Sequence, residues 1–335
     1  MRISKNIIIV ISASFILINS VISQEDTTKN DSIVYYTNLS DLFALNIFSS
    51  YRNNSMFISN SKTNSTLELI PNSPVSIGAG FGYKGIALSL GFGLPHTKSN
   101  IQKYGNTTSF DMRGRFSLKK FGGFGYIQYY KGYYNRNPQD FIEWNKDYYP
   151  QIPDLRTFSF GGTGYYILNS DKFSNKAAYS RSQAQNKSAG TLVLGVFLNY
   201  DDAQSPKGFY PSDFPDSISS DLNLTGFRYF ASGISIGYSY TLVFSRSFYF
   251  NIDINPGAGY KDVKVTTTDG ETDIKKTAHA QLAIRAALCF ENRYIYAGIT
   301  GSTLLRNIKS NDYNINLATE QLRIYIGKRF SLGTQ

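Results

Sequence analysis

Few residues in this chain have the type and spacing for covalent or metal chemistry. The only histidines, His96 and His279, lie far apart and belong to no ligand spacing, so no metal site is expected. Cys289 is the single cysteine. It cannot form an internal disulfide, and it falls in an alternating apolar run where a small buried or lipid-facing residue is the ordinary reading. Lys187 and Ser188 are adjacent, and neighbours on a strand point to opposite faces, which makes them a poor nucleophile and base pair. The glycines at 78, 80 and 82 precede no helical pattern and so fail as a nucleotide loop. The residues predict no catalytic group and no cofactor. What remains is charge in two places. Asp171, Lys172, Arg181 and Lys187 crowd one polar stretch, while Asp111, Arg113 and Arg115 share one face of an alternating run.

The elements that position these charges follow from patterning. Arg2 and Lys5, an apolar run from Ile7 to Ile18, and small residues Val21 and Ser23 before Gln24 have the order of a secretory signal peptide, with cleavage after Ser23. Residues 1–23 are read as the signal, 24–38 as a flexible periplasmic lead-in and 39–335 as a single barrel domain. Losing Arg2 and Lys5 from 34 Lys and Arg leaves 32 against 24 Asp and Glu. This basic balance is scattered rather than striped, and export argues against a nucleic-acid partner.

The chain has 26 Tyr, 24 Phe and 28 Gly with only 17% charged residues, and no run after the signal is long enough for a membrane helix. Period-two alternation recurs instead. Val75 to Tyr83 and Ile86 to Leu94 set large apolar residues against Gly, Ser and Ala across a Lys84-Gly85 link, the pattern of a hairpin with a nearly bare second face. Phe110 to Leu118 opposes apolar residues to Asp111, Arg113 and Arg115. Phe248 to Ile254 opposes them to Asn251 and Asp253, and Leu282 to Phe290 to Arg285, Cys289 and Glu291. Tyr126, Tyr129, Tyr130, Tyr133 and Tyr134 suggest an interfacial girdle. Tight links at 84–85, 119–120, 245–247 and 291–293 alternate with long polar ones near 95–106, 135–154, 201–226, 261–276 and 306–319. Residues 52–72 read mainly as turn, with 56–58 and 67–70 as extensions of flanking strands. The rhythm predicts an all-β protein: a transmembrane antiparallel up-and-down β-barrel of about twelve strands. It would stand in outer-membrane lipid with both termini periplasmic. A soluble sandwich would need a second layer to cover the apolar face. Lumen-lining candidates are Asp111, Arg113, Arg115, Asn251, Asp253, Arg285 and Glu291.

The segment Tyr166, Asn169, Asp171, Lys172, Phe173, Ser174, Ala177, Ala178, then Gln185, Lys187, Ser188, Ala189, Gly190, resembles outer-membrane proteins of Bacteroidetes grouped as a domain of unknown function. Asn72 to Pro74 and the ending Gly327-Lys328-Arg329-Phe330 add to the likeness. Ala184 departs from it, where a longer polar side chain is expected. The resemblance implies a β-barrel and an outer-membrane location, and no activity.

Strand parity puts the link from Asn169 to Lys187 on the periplasmic side, where every other link is tight. A connection this long is a functional candidate. The expectation is a plug or a docking segment carrying Asn169, Asp171, Lys172, Phe173, Ser174, Arg181, Gln185, Lys187 and Ser188, with a short helix over 175–183. As a plug, its charged residues would meet the lumenal Asp111, Arg113, Arg115 and Arg285; as a docking segment, it would meet a periplasmic or envelope protein. The sequence assigns function no further than a passive or gated pore or a structural envelope protein. The alternative is a barrel enzyme on lipid or envelope polymer using Ser188 or His279. Oligomeric state is left open.

Overall fold

The computed structural model describes residues 34–60, 65–73, 75–84, 86–215, 223–270, 272–310 and 312–331. The expected signal peptide, residues 1–23, and residues 24–33 lie outside these. From Tyr35 onward the chain is one compact unit.

Alternating residues with β-branched and aromatic bulk on one side make strands, and here the strands close on themselves. The ring runs through β2 (Leu42–Asn60), β4 (Ser76–Tyr83), β5 (Ile86–Gly93), β6 (Thr108–Ser117), β7 (Phe121–Asn135), β8 (Gln151–Ile167), β10 (Ala189–Gln204), β11 (Leu224–Ser245), β12 (Phe248–Thr267), β13 (Thr272–Glu291), β14 (Ile295–Lys309) and β15 (Tyr313–Ser331). Every neighbouring pair is antiparallel. β15 returns to β2 over its whole length, from Ser331 opposite Leu42 to Tyr313 opposite Asn60, so no edge is left open. β3 (Thr66–Ile70) bridges β2 and β7 above the shorter strands β4 to β6. β1 (Tyr36–Asn38) pairs with β9 (Gln183–Gln185) as a separate two-stranded sheet.

The outward face carries a band of exposed apolar residues, among them Ile47, Phe92, Val196, Ile234 and Ile324. Phe92 is 75% exposed, a surface that water disfavours and hydrocarbon accepts. The lower ends of the strands hold the tight links and both ends of the ring, and the long segment 168–188 returns there as well.

Along each strand the inward face changes character. On β12 the inward residues are Asn251 and Asp253 toward the lower end and Val263 and Val265 at the far end, all buried. Met56, Ile58, Leu69, Tyr133, Leu155, Phe227, Tyr229, Ile308, Ile315 and Leu317 join those valines in one core that packs the far lumen. The outward partners there are polar, such as exposed Lys264. Above the apolar band the molecule is therefore a water-facing barrel with an oily interior.

This corrects the loop reading of two segments. Most of 261–276 and 306–319 is strand, because Val263, Val265, Ile308, Ile315 and Leu317 bury one face while their polar neighbours face water. β2 likewise runs on to Asn60, through residues read as turn. Part of the lead-in, Tyr36–Asn38, is strand because the central segment gives it a partner. Tyr126 lines the lumen, and Tyr130 and Tyr133 are buried inside, so none of the three belongs to an outer girdle. A bulge at Gly132 lets Tyr130 and Tyr133 face the same way. Its φ is +95°, and an added Cβ would lie 2.1 Å from the Asn106 carbonyl oxygen, so glycine is required there.

Candidate functional site: a plugged, arginine-lined lumen

Residues 169–187 turn inward at the end where the tight links and both ends of the ring lie. A short helix, Asn175–Tyr179, begins with Ser174 Oγ accepting from Ala177 N at 3.1 Å. Ala177 and Ala178 are 0% exposed and pack on Tyr249, Ala287 and Cys289 of the wall. Small side chains are what allow the helix to lie this close. Gln185 acts as an internal brace: its carbonyl oxygen accepts from Ser174 N at 2.8 Å, while its Nε2 donates to the Lys172 and Lys187 carbonyls at 2.7 and 2.9 Å. Phe173 is buried against Tyr165, Ile167, Ala189 and Val193. Asn169 is fixed to β10 through Thr191 Oγ1 and the Gly190 carbonyl.

The barrel grips this segment at several points. Tyr249 donates its hydroxyl to the Ala177 carbonyl at 2.9 Å. Arg329, fully buried on the last strand, donates from Nε and Nη2 to the Arg181 carbonyl at 3.1 and 2.6 Å, and also pairs with Glu291. Arg181 has φ +62°, and its guanidinium lies 4.1 Å from the Tyr325 ring centroid. Ser182 accepts from Leu39 N at 2.9 Å, and Ala184 pairs with Thr37. The Ser180 carbonyl lies 3.5 Å from where a Cβ on Gly82 would be, so the bare wall faces the inserted segment.

Tyr179 meets the lumenal side chains directly. Its ring lies between the guanidiniums of Arg115 and Arg285, at 4.9 and 4.6 Å, and its hydroxyl donates to Asn251 at 2.7 Å. Burial pushes that hydroxyl above its ordinary pKa, which keeps it a neutral donor.

The seven lumen candidates all face inward. Asp111 accepts from Arg113 and Gln128 and lies 3.5 Å from Arg52. Asp253 pairs with Arg285 at 3.0 Å. Asn251 donates to Thr241, and a Glu291 carboxyl oxygen lies 2.9 Å from the Tyr249 hydroxyl. Asp201, absent from the sequence reading, pairs with Arg306 at 2.8 Å and accepts from Ser159.

The segment's own charges mostly do not meet them. Asp171 pairs at the exposed rim with Lys119 at 2.7 Å, Lys172 lies over Tyr35, and Lys187 is exposed. The long side chains stay in water, where a charge costs least, and the segment inserts its alanines and Tyr179 instead. Ser188 accepts from Val243 N at the plug end, whereas His279 packs on Tyr229 and Phe197 toward the far core. Those two cannot act together.

Sequence reasoning missed Tyr179, Arg323 and Arg329. The alternation of β15 held the signal for two of them, since Leu322, Ile324 and Ile326 outward leave Arg323 and Arg329 inward.

A family model described as domain of unknown function, DUF4421, matches residues 26–330. No curated protein sequence matches the chain. Among solved structures it is similar to OmpT, an outer membrane protein of Vibrio cholerae, at 8% identity and TM-score 0.29, covering 84% of this chain and 97% of that one. It is similar to the Pseudomonas putida toluene transporter TodX at 6% identity and TM-score 0.28, covering 88% and 92%. It is similar also to Ail, the attachment invasion locus protein of Yersinia pestis, at 8% identity and TM-score 0.20, covering 86% and 98%. The likeness extends to no residue and no activity.

Proposed function

The chain belongs to the DUF4421 family, and on that premise we propose an outer-membrane barrel, shut at rest, whose lumen is reached by displacing residues 169–187. Both termini and this segment face the periplasm in this reading. The observation that carries it is the helix Asn175–Tyr179 inside the ring, with Ala177 and Ala178 0% exposed. An open passive pore fits poorly, because the segment fills one end of the lumen and an apolar core fills the other. Phe173 anchors the base of the segment, whereas the stretch beyond Ser174 is held by hydrogen bonds and small-residue contacts, which suits a part that moves about that anchor.

Cys289 supplies the test, since it is the single cysteine and lies directly under Ala178. A membrane-impermeant thiol reagent should leave the folded protein unlabelled and label it after deletion of Ser174 to Gln183. Equal protection in both forms would sink the gate. Single-channel recording should find the full chain silent.

A docking role for the same segment is favoured by the exposed Lys172 and Lys187 beside the β1–β9 pair. Cross-linking from those lysines in intact cells should then yield one defined envelope partner. An enzyme of lipid or envelope polymer is disfavoured by the separation of Ser188 and His279. Hydrolase activity lost on Ser188→Ala or His279→Ala would reverse that preference.

A further inference from the structure

Between the plug and the far core lies a chamber of about 200 Å³. Its lining includes Arg113, Arg115, Arg181, Arg285 and Arg323, from three separate strands and the plug, and no Asp or Glu among the described residues. Arg113 and Arg285 are paired with Asp111 and Asp253, inward-facing carboxylates that are not part of the chamber's lining. Arg115, Arg181 and Arg323 have no carboxylate within ion-pair distance among the described residues. Their planes are set by aromatic rings: Arg115 over Tyr179, Arg181 over Tyr325, and Arg323 over Phe48 at 4.0 Å. Arg323 reaches Ser89 across the glycine-bearing wall with a hydrogen bond of 3.2 Å. Gly78 and Gly91 leave room for the Phe48 ring on which Arg323 rests, since an added Cβ would lie 2.5 and 3.1 Å from that ring.

The hydrogen-bond inventory points the same way. Arg115 Nη1, Arg181 Nε, Arg285 Nη1, Arg323 Nε and Gln321 Nε2 are buried donors with no acceptor. Every unpaired buried polar atom on the lining is thus an N–H donor, and none is an acceptor. A barrel selected only for stability would pair or remove such groups, because a desolvated cation without a counter-charge opposes folding. Guanidinium forks converging from several sides match an acceptor-only, multiply charged group with oxygens in several directions.

We propose that this chamber binds an oxyanion of the phosphate class, free or carried on a small molecule. The inference rests on the gated reading, since the plug is the route in, and Arg181 makes the plug part of the site. A planar carboxylate would engage one or two forks. A tetrahedral dianion engages guanidiniums from β6, β13 and β15 together. The closed ends limit the ligand to a small solute rather than a polymer.

The test is isothermal titration of the full chain in detergent with inorganic phosphate, pyrophosphate and glycerol phosphate, against chloride at matched ionic strength. Saturable binding by at least one of them, weakened tenfold or more in Arg115→Gln/Arg323→Gln, is expected. The relative strength of the three ligands tells free phosphate from a carried one. Arg156→Gln, outside the chamber, should leave binding unchanged. Removal of two unpaired cations should also raise the melting temperature of the ligand-free barrel, so loss of binding cannot be put down to misfolding. Binding unaffected by the double substitution, or absent both from the full chain and after deletion of Ser174 to Gln183, overturns the proposal. Binding seen only after that deletion, which removes Arg181 and leaves the guanidiniums of β6, β13 and β15, supports the site and counts instead against a plug that moves on its own.

Discussion

Arg329 shows how much one side chain can decide. It holds the Arg181 carbonyl of the plug, the Asn292 carbonyl of a lower turn and the Glu291 carboxylate, all from a buried position. Arg329→Ala would leave Glu291 buried and unpaired, so a loss of about 3–5 kcal/mol is expected by reversible denaturation in lipid vesicles, along with faster labelling of Cys289. Asp171 is the contrast. The hydrogen bond from Lys119 lowers its carboxyl pKa, so the pair contributes above the ordinary carboxylate range and fades as pH falls through that lowered value. Both side chains are well exposed, and Asp171→Asn should change neither melting temperature nor Cys289 labelling. Arg329 was legible as an inward residue from the parity of β15. Its partners were not, because alternation gives a face and never a distance.

At the scale of the element, the strands carry two opposite codes in series. Lower down, apolar residues face out and polar ones in; higher up, the order reverses. A reader who follows only the first code ends each strand where the second begins, and so 261–276 and 306–319 looked like loops. Strand polarity in a barrel that rises out of its membrane marks a change of solvent, not the end of pairing. The codes predict different costs on one strand. Ile315→Ala, in the far core, should cost about 2–5 kcal/mol, whereas Ile324→Ala on the lipid face should cost less than half as much. Ile324→Arg should impair insertion, by about 2–4 kcal/mol near the midplane, measured as the unfolded fraction on a heat-modifiable gel. The central segment was legible by its length alone. That it inserts alanines and a tyrosine while its lysines stay outside needed the bare wall at Gly82 to be seen opposite it.

At the largest scale, the twelve-strand ring is a closed barrel whose seam joins its first strand to its last. β2 and β15 pair from opposite ends of the ring's sequence, with Leu42 against Ser331, 289 positions apart. Contacts so distant along the chain form late, because the loop they close is the whole protein. The plug depends on both sides of that seam: Leu39, just before β2, donates to Ser182, and Arg329 of β15 donates to Arg181. Time therefore enters the architecture. A chain still being threaded into the bilayer has no socket for residues 169–187, and the seated plug is a signature of finished assembly. A factor that recognised only the seated form would be reading maturation, and would pass over every barrel caught halfway.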